Sequence, residues 1–252
     1  QSLAELRLQI DAVDTELLAL LNRRAALANE VGELKRAEGS PVFRPEREAQ
    51  VINGLQAANP GPLKAGNVAT IWREIMSACR ALEAPQRVAY LGPAGTFSEQ
   101  AAVQFFGASI EHVRCVSFDE VFHAAAAGTA DFGVVPVENS TEGVVTRSLD
   151  LLLQSPLHIV GEISLLVRHH LLRLSPSTEG IEAVLAHPQA LAQCQGWLNK
   201  HLPDAERRAV SSNAEGARLA ATNPAWAGIA GERAGAELGL HVATIAIKDY
   251  AL

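Results

Sequence analysis

Residues 3 to 36 carry one hydrophobic stripe that only a long helix can present on a single face. The segment has no proline and one glycine, and its apolar residues follow each other at alternating spacings of four and three. A helix of this length extends about 50 Å, which is more than the width of a domain of about 85 residues. We therefore expect a second copy of the chain to cover the stripe. The stripe consists of Leu6, Ile10, Val13, Leu17, Leu20, Leu27, Val31 and Leu34.

Proline and glycine divide the first part of the chain into three predicted helices. Breaks fall at Gly39-Ser40-Pro41 and at Asn59-Pro60-Gly61-Pro62, and Pro85 closes the unit. We predict an all-helical domain over residues 1–85, followed by a second domain over residues 86–252. The predicted helices span about 3–36, 45–58 and 64–83.

Short apolar runs that alternate with helical stretches predict an α/β fold for the second domain. The predicted strands are 88–91, 132–137, 158–160, 183–186 and 227–230. The predicted helices lie near 98–106, 119–127, 143–153, 189–200, 213–221 and 231–238.

Composition and charge restrict the partners of the chain. It has 21 lysine and arginine residues against 28 acidic ones, a net charge of −7, which argues against DNA or an anionic membrane as a partner. Its longest apolar runs fall short of the roughly 20 residues that a membrane span needs. Three cysteines far apart in the sequence are typical of a reducing compartment. We expect a soluble, cytoplasmic protein that binds neither nucleic acid nor membrane.

Charged residues occupy helix positions at which packing alone would favour apolar ones. Arg24 fills the one slot of the stripe that is not apolar, and Lys35 lies three turns later, so both project from about the same face. In the third helix an apolar series at spacings of four and three ends in Glu83. Together with Arg44–Glu48, these residues indicate a small pocket of cations and carboxylates that suits a small dianion.

Each of these residues also has an ordinary structural interpretation. Arg24 could pair with a buried glutamate or extend its guanidinium to the surface. Lys35, close to the helix end, could be a solvated residue that interacts favourably with the helix dipole. Arg44–Glu48 could be a helix start with an acidic first turn.

Three stretches of the helical unit form longer motifs. They are the arginine-rich first helix with Glu30-Val31-Gly32 and Lys35, then Arg44-Pro45-Glu46-Arg47-Glu48, then Ile75-Met76-Ser77-Ala78-Cys79-Arg80-Ala81-Leu82-Glu83. Over residues 3–84 the chain resembles the all-helical chorismate mutases. The resemblance implies an intertwined homodimer that rearranges chorismate to prephenate. This unimolecular reaction needs a folded substrate and stabilisation of developing charge, and no cofactor or metal.

The resemblance also implies roles for individual residues. Arg7 of one protomer and Arg24 of the other are expected to bind the substrate carboxylates. Lys35 is expected to face the ether oxygen, and Arg47 and Glu48 complete the binding pocket.

Three positions of this expected site depart from the best-known bacterial pattern. Arg44 stands where that pattern has a carboxylate, and Cys79 and Glu83 stand where it has serine and glutamine. Glu83 can donate a hydrogen bond to the ether oxygen only when it is protonated. We therefore expect mutase activity to decline as the pH rises, and we expect Lys35, Glu83 and Arg24 to be the catalytic residues.

In the second domain, small and polar residues follow three predicted strands. They are Gly92–Glu99, Val137–Gly143 and Ala186–Gln189. Exposed N–H groups and hydroxyls at the ends of strands can bind an anion, and ligands favour this edge of open α/β sheets. Each hydroxyl taken alone could equally be a helix N-cap, which applies to Ser98, Ser140 and Thr141.

The motifs Gly92-Pro93-Ala94-Gly95-Thr96-Phe97-Ser98, Val135-Pro136-Val137-Glu138-Asn139-Ser140 and His187-Pro188-Gln189 resemble those of prephenate dehydratase. The match runs from about 87 to 250. It implies a two-lobed fold like that of periplasmic binding proteins, with prephenate held in the cleft between the lobes. The residues expected to line this cleft are Thr96, Ser98, Glu138, Asn139, Ser140 and Gln189, all but the last of them as catalytic residues.

A chorismate mutase domain followed directly by a prephenate dehydratase domain resembles the arrangement in the bifunctional chorismate mutase/prephenate dehydratases of phenylalanine biosynthesis. In that family a catalytic threonine lies in a Thr-Arg-Phe motif expected just beyond Leu252, and a regulatory ACT domain follows. The sequence begins at Gln1 rather than methionine, so we expect it to belong to a longer product. We expect mutase activity and little or no dehydratase activity from these 252 residues, and both activities from an intact protein.

Two hypotheses from other classes stay open at this point. In the first, the cleft captures prephenate or another small anion without converting it. In the second, the helical unit is purely a dimerisation module attached to a binding domain.

Overall fold

The fold is that of a computed structural model, which describes residues 2–39, 43–139, 143–247 and 249. The chain forms two compact units. The first unit consists of Gln1–Val88, Val103–Glu111 and His158–Gly161. The second unit consists of Ala89–Ala102, His112–Leu157 and Glu162–Leu252.

Three helices build the first unit, and all three confirm the prediction. They are α1 (Leu3–Ala37), α2 (Pro45–Ala58) and α3 (Ala65–Glu83). A capping box starts α1, in which the Glu5 N–H donates to Ser2 Oγ at 3.2 Å and the Ser2 N–H donates to Glu5 Oε2 at 2.7 Å. Pro45 occupies the first turn of α2, where its missing N–H costs no hydrogen bond.

Helix α3 lies at the centre of the first unit, because both α1 and α2 pack against it. It contributes buried residues such as Val68 and Met76. Its Ser77 Oγ accepts the Ser109 N–H at 3.1 Å. Gly107, with φ +85°, approaches Ser77 so closely that a Cβ atom would overlap the serine side chain.

The hydrophobic stripe of α1 is exposed to solvent in the single chain. Its eight apolar side chains are between 42% and 66% exposed. A contiguous apolar surface of this length is unusual for a monomer and marks an interaction surface.

The second unit is an α/β structure, which confirms the predicted fold class. One sheet has the order β2-β1-β3, a second has the order β10-β6-β9-β7-β8, and β4 and β5 form a two-stranded hairpin. The strands are β1 (Gln86–Leu91), β2 (Ile110–Cys115), β3 (Phe132–Val134), β4 (Glu138–Asn139), β5 (Gly143–Val144), β6 (His170–Arg173), β7 (Ala183–Ala186), β8 (Glu206–Ala209), β9 (Trp226–Ala230) and β10 (His241–Thr244). The helices are α4 (Phe97–Phe106), α5 (Phe118–Ala126), α6 (Thr146–Gln154), α7 (Pro188–Gln193), α8 (Gln195–His201), α9 (Asn213–Ala220) and α10 (Glu232–Leu238).

The five-stranded sheet is mixed and forms the main core of the second unit. Strand β7 runs parallel to β8 and β9, whereas β6 is antiparallel to β9 and β10. Leu171, Val184 and Ile229 are fully buried on this sheet, and Leu198 of α8 packs against them. Helix α9 lies close to β9, since a Cβ atom on Gly228 would come within 2.8 Å of the Ala217 backbone.

Several predicted elements of the second unit need correction. The strand predicted at 158–160 is wrong: these residues belong to no strand, and Ile159 is 74% exposed. An apolar run becomes a strand only when another strand supplies its hydrogen bonds. Residues 158–160 have no such neighbour among the strands that the structure describes, whereas β6, which begins ten residues later, pairs with β9. The run at 132–137 forms a strand only as far as Val134. The helix predicted at 143–153 begins at Thr146, after β5, and the one predicted at 189–200 is divided at Cys194.

Among the described residues, none of the helices combines the length and apolarity that crossing a bilayer requires.

Candidate active sites

The first candidate site lies where α1 faces α3 in the first unit. Arg24 of α1 is half-buried and donates through Nη1 to the Sγ atom of Cys79 at 3.2 Å. Cys79 is buried on α3. In this contact Arg24 therefore meets a thiol, and not the buried glutamate that an ordinary packing role would supply. The contact does not compensate the positive charge of Arg24.

Glu83 completes this face of α3, one turn after Cys79. Its carboxyl group lies directly against the backbone of Gly32 on α1. The Oε2 atom is buried, and no described residue offers it a hydrogen bond. Lys35 is half-buried one turn beyond Gly32, on the same face of α1. The structure thus brings Arg24, Cys79 and Glu83 together, with Lys35 on the adjoining turn.

A buried arginine absent from the expected site holds Glu48. Arg80 donates to Glu48 Oε1 and to the main-chain oxygen of Phe106. Its guanidinium also lies 4.8 Å from the ring centroid of Phe43. The sequence contains a signal that could have identified Arg80 as buried. Arg80 follows Met76 by four residues and therefore lies on the same buried face of α3.

The remaining expected mutase residues do not join this cluster within one chain. Arg7, Arg44 and Arg47 are exposed. Arg7 precedes Arg24 by 17 residues on one continuous helix, which separates them by about 25 Å. A pocket that uses both residues needs Arg7 from another copy of the chain.

In the second unit, the loop after β1 is fixed by hydrogen bonds at its helical end. The Thr96 hydroxyl donates to the Leu91 carbonyl at 3.0 Å and accepts the Glu99 N–H at 3.3 Å. Thr96 is therefore the residue that caps α4, and Ser98, for which a cap was one interpretation, lies inside the first turn. Both side chains are half-buried.

The other two expected segments are only partly described. Glu138 and Asn139 form β4, which pairs antiparallel with β5, and Glu138 is exposed. Ser140 and Thr141 lie outside the described residues. Gln189 is in the first turn of α7, where its N–H donates to His187 Nδ1 at 3.3 Å. Its Nε2 group is buried and has no acceptor among the described residues.

A buried carboxylate that was not among the predicted site residues lies beside the loop after β1. Glu99 on α4 accepts the Gly95 N–H at 2.6 Å, the Tyr90 hydroxyl at 2.9 Å and Arg114 Nη2 at 3.3 Å. Arg233 Nη2 lies 3.9 Å away. The four-residue spacing between Gly95 in the loop and Glu99 in the helix is visible in the sequence, but the two arginines come from distant segments.

The surroundings of Glu99 favour its ionised form. Burial by itself raises the pKa of Glu99, but the Gly95 N–H, the Tyr90 hydroxyl and the two guanidinium groups hold the pKa below its ordinary range. Burial and the adjacent carboxylate raise the pKa of Tyr90, so its hydroxyl stays available as a donor. Burial lowers the pKa of His112, whose Nδ1 lies 2.8 Å from the Tyr90 oxygen.

The histidine pair His169-His170 is occupied by protein contacts. His169 Nε2 lies 2.8 Å from Gln193 Oε1, and His170 Nδ1 accepts the Ala246 N–H at 3.2 Å. Burial lowers the pKa of His170.

Comparison with known proteins gives two family matches. The chain matches chorismate mutase type II over residues 6–84 and prephenate dehydratase over residues 88–252. It is 49% identical over 243 residues to the bifunctional chorismate mutase/prephenate dehydratase of Neisseria gonorrhoeae, covering 95% of this chain and 67% of the relative. It is 45% identical over 253 residues to the same enzyme of Stutzerimonas stutzeri, covering 98% of this chain and 69% of the relative.

The chain belongs to the bifunctional chorismate mutase/prephenate dehydratases. Helices α1–α3 form its chorismate mutase module, and the α/β part forms its prephenate dehydratase module. A solved structure of prephenate dehydratase from Arthrobacter aurescens in complex with L-Phe is 34% identical, with a TM-score of 0.60 over 65% of this chain and 56% of that chain. The chain spans about two thirds of the length of the curated bifunctional relatives.

Proposed function

We propose that the two reactions of this family take place in separate domains of the chain. Residues 1–85 would rearrange chorismate to prephenate, and residues 86–252 would bind prephenate for dehydration and decarboxylation to phenylpyruvate. Both steps belong to the synthesis of L-phenylalanine. The observation that carries the mutase assignment is the face shared by α1 and α3, where Arg24 meets Cys79 and Glu83 lies beside Gly32.

The mutase step requires charge placement rather than a nucleophile. Chorismate carries two carboxylates, and its rearrangement breaks an ether bond whose oxygen becomes more negative in the transition state. Arg24 would bind a carboxylate, and Lys35 would face the ether oxygen. Glu83, when protonated, would donate a second hydrogen bond to that oxygen. Its Oε2 atom is suited to this role, because it is buried and has no hydrogen-bond partner in the described part of the chain. Arg44, Arg47, Glu48 and Cys79 would line the rest of the pocket.

A homodimer through α1 would complete the mutase site. Covering the exposed stripe of α1 needs an apolar surface of equal length, and a second α1 provides it. Arg7 and Arg24 lie too far apart on one helix to meet on one small substrate, so Arg7 would come from the other protomer.

The dehydratase domain would hold prephenate with the residues that follow β1, β3 and β7. Gln189 supports this assignment most directly, because its buried amide donor lacks a protein acceptor among the described residues. Thr96, Ser98, Glu138, Asn139 and Ser140 would supply the other polar groups. The alternative is a domain that only binds prephenate or another small anion. The main chain already uses the Thr96 hydroxyl, so the cap of α4 accounts for this side chain without a ligand.

The cytoplasm is the proposed location of the protein. Cys79, Cys115 and Cys194 are buried cysteines, and a reducing compartment preserves thiols. Burial raises the pKa of Cys115, which keeps that thiol in its unreactive form.

A paired assay tests the proposed function. Chorismate loss and phenylpyruvate appearance are followed separately on the 252-residue chain. Arg24→Ala should lower the rate of chorismate loss by about 100-fold or more. Its exposed neighbour Arg23 provides a matched control, and Arg23→Ala should leave the rate within about twofold.

The outcomes of this assay separate the hypotheses. Chorismate loss that depends on Arg24 supports the mutase assignment, whereas equal rates for the two variants would refute it. Phenylpyruvate formation would exclude the binding-only alternative for the second domain, whereas binding of prephenate without conversion agrees with that alternative and also with the little or no dehydratase activity expected from these 252 residues. Gln189→Leu should weaken prephenate binding in either case.

A further inference from the structure

We propose that Glu99 is a positioning residue of the dehydratase domain, whose buried carboxylate holds the loop Gly92–Ser98 in the conformation that binds prephenate. The inference rests on the proposed function, which places this loop at the prephenate site. Glu99 itself would not contact the substrate, since its side chain is 1% exposed.

Each oxygen of the Glu99 carboxylate has a separate set of partners. Oε2 accepts the Gly95 N–H at 2.6 Å, which ties the middle of the loop to α4. Oε1 accepts the Tyr90 hydroxyl at 2.9 Å and Arg114 Nη2 at 3.3 Å, which ties the same carboxylate to β1 and β2. Charge-assisted hydrogen bonds of this length are stronger than neutral ones, so they restrain the loop.

Gly95 needs this restraint because of its backbone conformation. Its φ is +80°, and a Cβ atom at this position would lie 3.1 Å from the side chain of Ala234. Glycine adopts this conformation at lower cost than any other residue, but it also has the largest number of alternative backbone conformations. The bond from the Gly95 N–H to Glu99 selects one of those conformations, and the Thr96 hydroxyl fixes the next residue through Leu91.

Guanidinium groups compensate the buried charge of Glu99. Arg114 and Arg233 both face Glu99 Oε1, and Arg233 also pairs with Glu237 at 3.2 Å, so two positive charges balance two negative ones. Their side chains remain 46% and 34% exposed. The carboxylate therefore orders the loop without making the potential there negative.

A second helix of the same unit repeats the hydrogen-bond pattern at a position outside the proposed site. Glu120 on α5 accepts the Val116 N–H at 2.6 Å, and Ser117 Oγ accepts the Glu120 N–H at 3.2 Å. These contacts reproduce those of Glu99 with Gly95 and Thr96, residue for residue. Glu120→Gln is therefore a control that makes the same chemical change in the same local geometry.

The test measures equilibrium binding of prephenate to the full chain with Arg24→Ala, which weakens binding of the same compound at the proposed mutase site. Chorismate mutase activity of the chains that keep Arg24 is the internal control. Glu99→Gln keeps the size of the side chain but removes its charge. If the competent loop falls to about one tenth of the population, the apparent Kd for prephenate rises about tenfold. Hydrogen exchange at the Gly95 amide should accelerate in the same variant. Glu120→Gln should change neither the Kd nor the Gly95 exchange, and neither variant should alter mutase activity.

The results of this test decide whether Glu99 positions the loop. An unchanged Kd for folded Glu99→Gln would overturn the positioning role, and so would an equal increase in Glu120→Gln. Failure of the chain with Arg24→Ala alone to bind prephenate would instead overturn the proposed function of the domain, and the positioning role with it. If Glu99→Gln does not fold, Tyr90→Phe takes its place, because it removes one donor from Oε1 and should raise the Kd about threefold. An unchanged Kd in that variant also counts against the proposal.

Discussion

The carboxyl group of Glu83 is in direct contact with the backbone of Gly32, where α3 crosses α1. A side chain at position 32 would overlap that carboxyl group. Gly32 is buried inside a long helix, more than one turn before its end at Ala37, where glycine costs roughly 1 kcal/mol relative to alanine. The residue therefore provides space for Glu83 at the expense of helix stability.

Replacement of Gly32 by alanine should separate stability from mutase activity. Gly32→Ala displaces the Glu83 carboxyl group and should lower kcat/KM for chorismate about 100-fold. The control is Gly54→Ala, because Gly54 lies in α2 and a Cβ atom there meets nothing within 4 Å. That variant should raise the thermal midpoint and leave kcat/KM unchanged. Full activity in Gly32→Ala would show that the position of Glu83 is unimportant.

A hydrogen-bond donor at position 83 should support the mutase reaction. Glu83→Gln keeps a donor beside Gly32 and should retain chorismate turnover, whereas Glu83→Met has no donor and should lower kcat/KM about 100-fold. Steady-state rates of both variants provide the comparison. Equal kcat/KM values would remove the donor at position 83 from the reaction.

Arg80 should stabilise the first unit through its pair with Glu48. Arg80→Met leaves the half-buried carboxylate of Glu48 without this partner, at a cost of about 2–4 kcal/mol. The double variant Arg80→Met/Glu48→Met removes both charges and should recover a large part of that loss. Urea denaturation of the three proteins measures the coupling. Additive losses would show that the two charges do not interact energetically.

Mixed dimers should reveal a mutase site shared between protomers. Arg7→Ala and Arg24→Ala chains should each be inactive alone. In a dimer that contains one chain of each kind, one site has both arginines and the other has neither. After random exchange, about a quarter of the activity of the unaltered protein should return. No recovery, with exchange confirmed by mass spectrometry, would show that no site combines Arg7 of one protomer with Arg24 of the other.

Acid should destabilise the second unit in two steps. His112 has a lowered pKa in the folded protein, so its contribution to stability is lost as the pH falls below about 6.5, where the unfolded chain takes up the proton. His170 behaves in the same way. The pKa of Glu99 is also lowered, so its contribution is present above the pKa of the unfolded glutamate and is lost at lower pH.

Thermal midpoints recorded from pH 7.5 to pH 3.5 measure both steps. Glu99→Gln should reduce the loss below about pH 4.3 and leave the loss near pH 6 in place. Tyr90, His112, Arg114 and Arg233 are the ionisable groups that face Glu99, and all four remain in this variant. An unchanged acid profile in Glu99→Gln would contradict the direction of its pKa shift.

Local sequence signals predicted the helices of the first unit almost to the residue. The stripe and its flanking breaks define α1, and Pro45 marks the start of α2. These signals suffice because a helix forms its hydrogen bonds within one segment. The strand predicted at 158–160 failed for the opposite reason, since a strand needs a partner from elsewhere in the chain.

The sequence by itself determined the helical stripe, the α/β alternation and the motifs that carry the family resemblance. Only the tertiary structure decided which groups meet. Arg24 faces the thiol of Cys79, Arg80 holds Glu48, and Glu99 gathers Gly95 with Arg114 and Arg233. The physical reason is that backbone periodicity is encoded within a few residues. The partners of a buried charge, in contrast, come from distant segments and are fixed only when the helices and sheets pack.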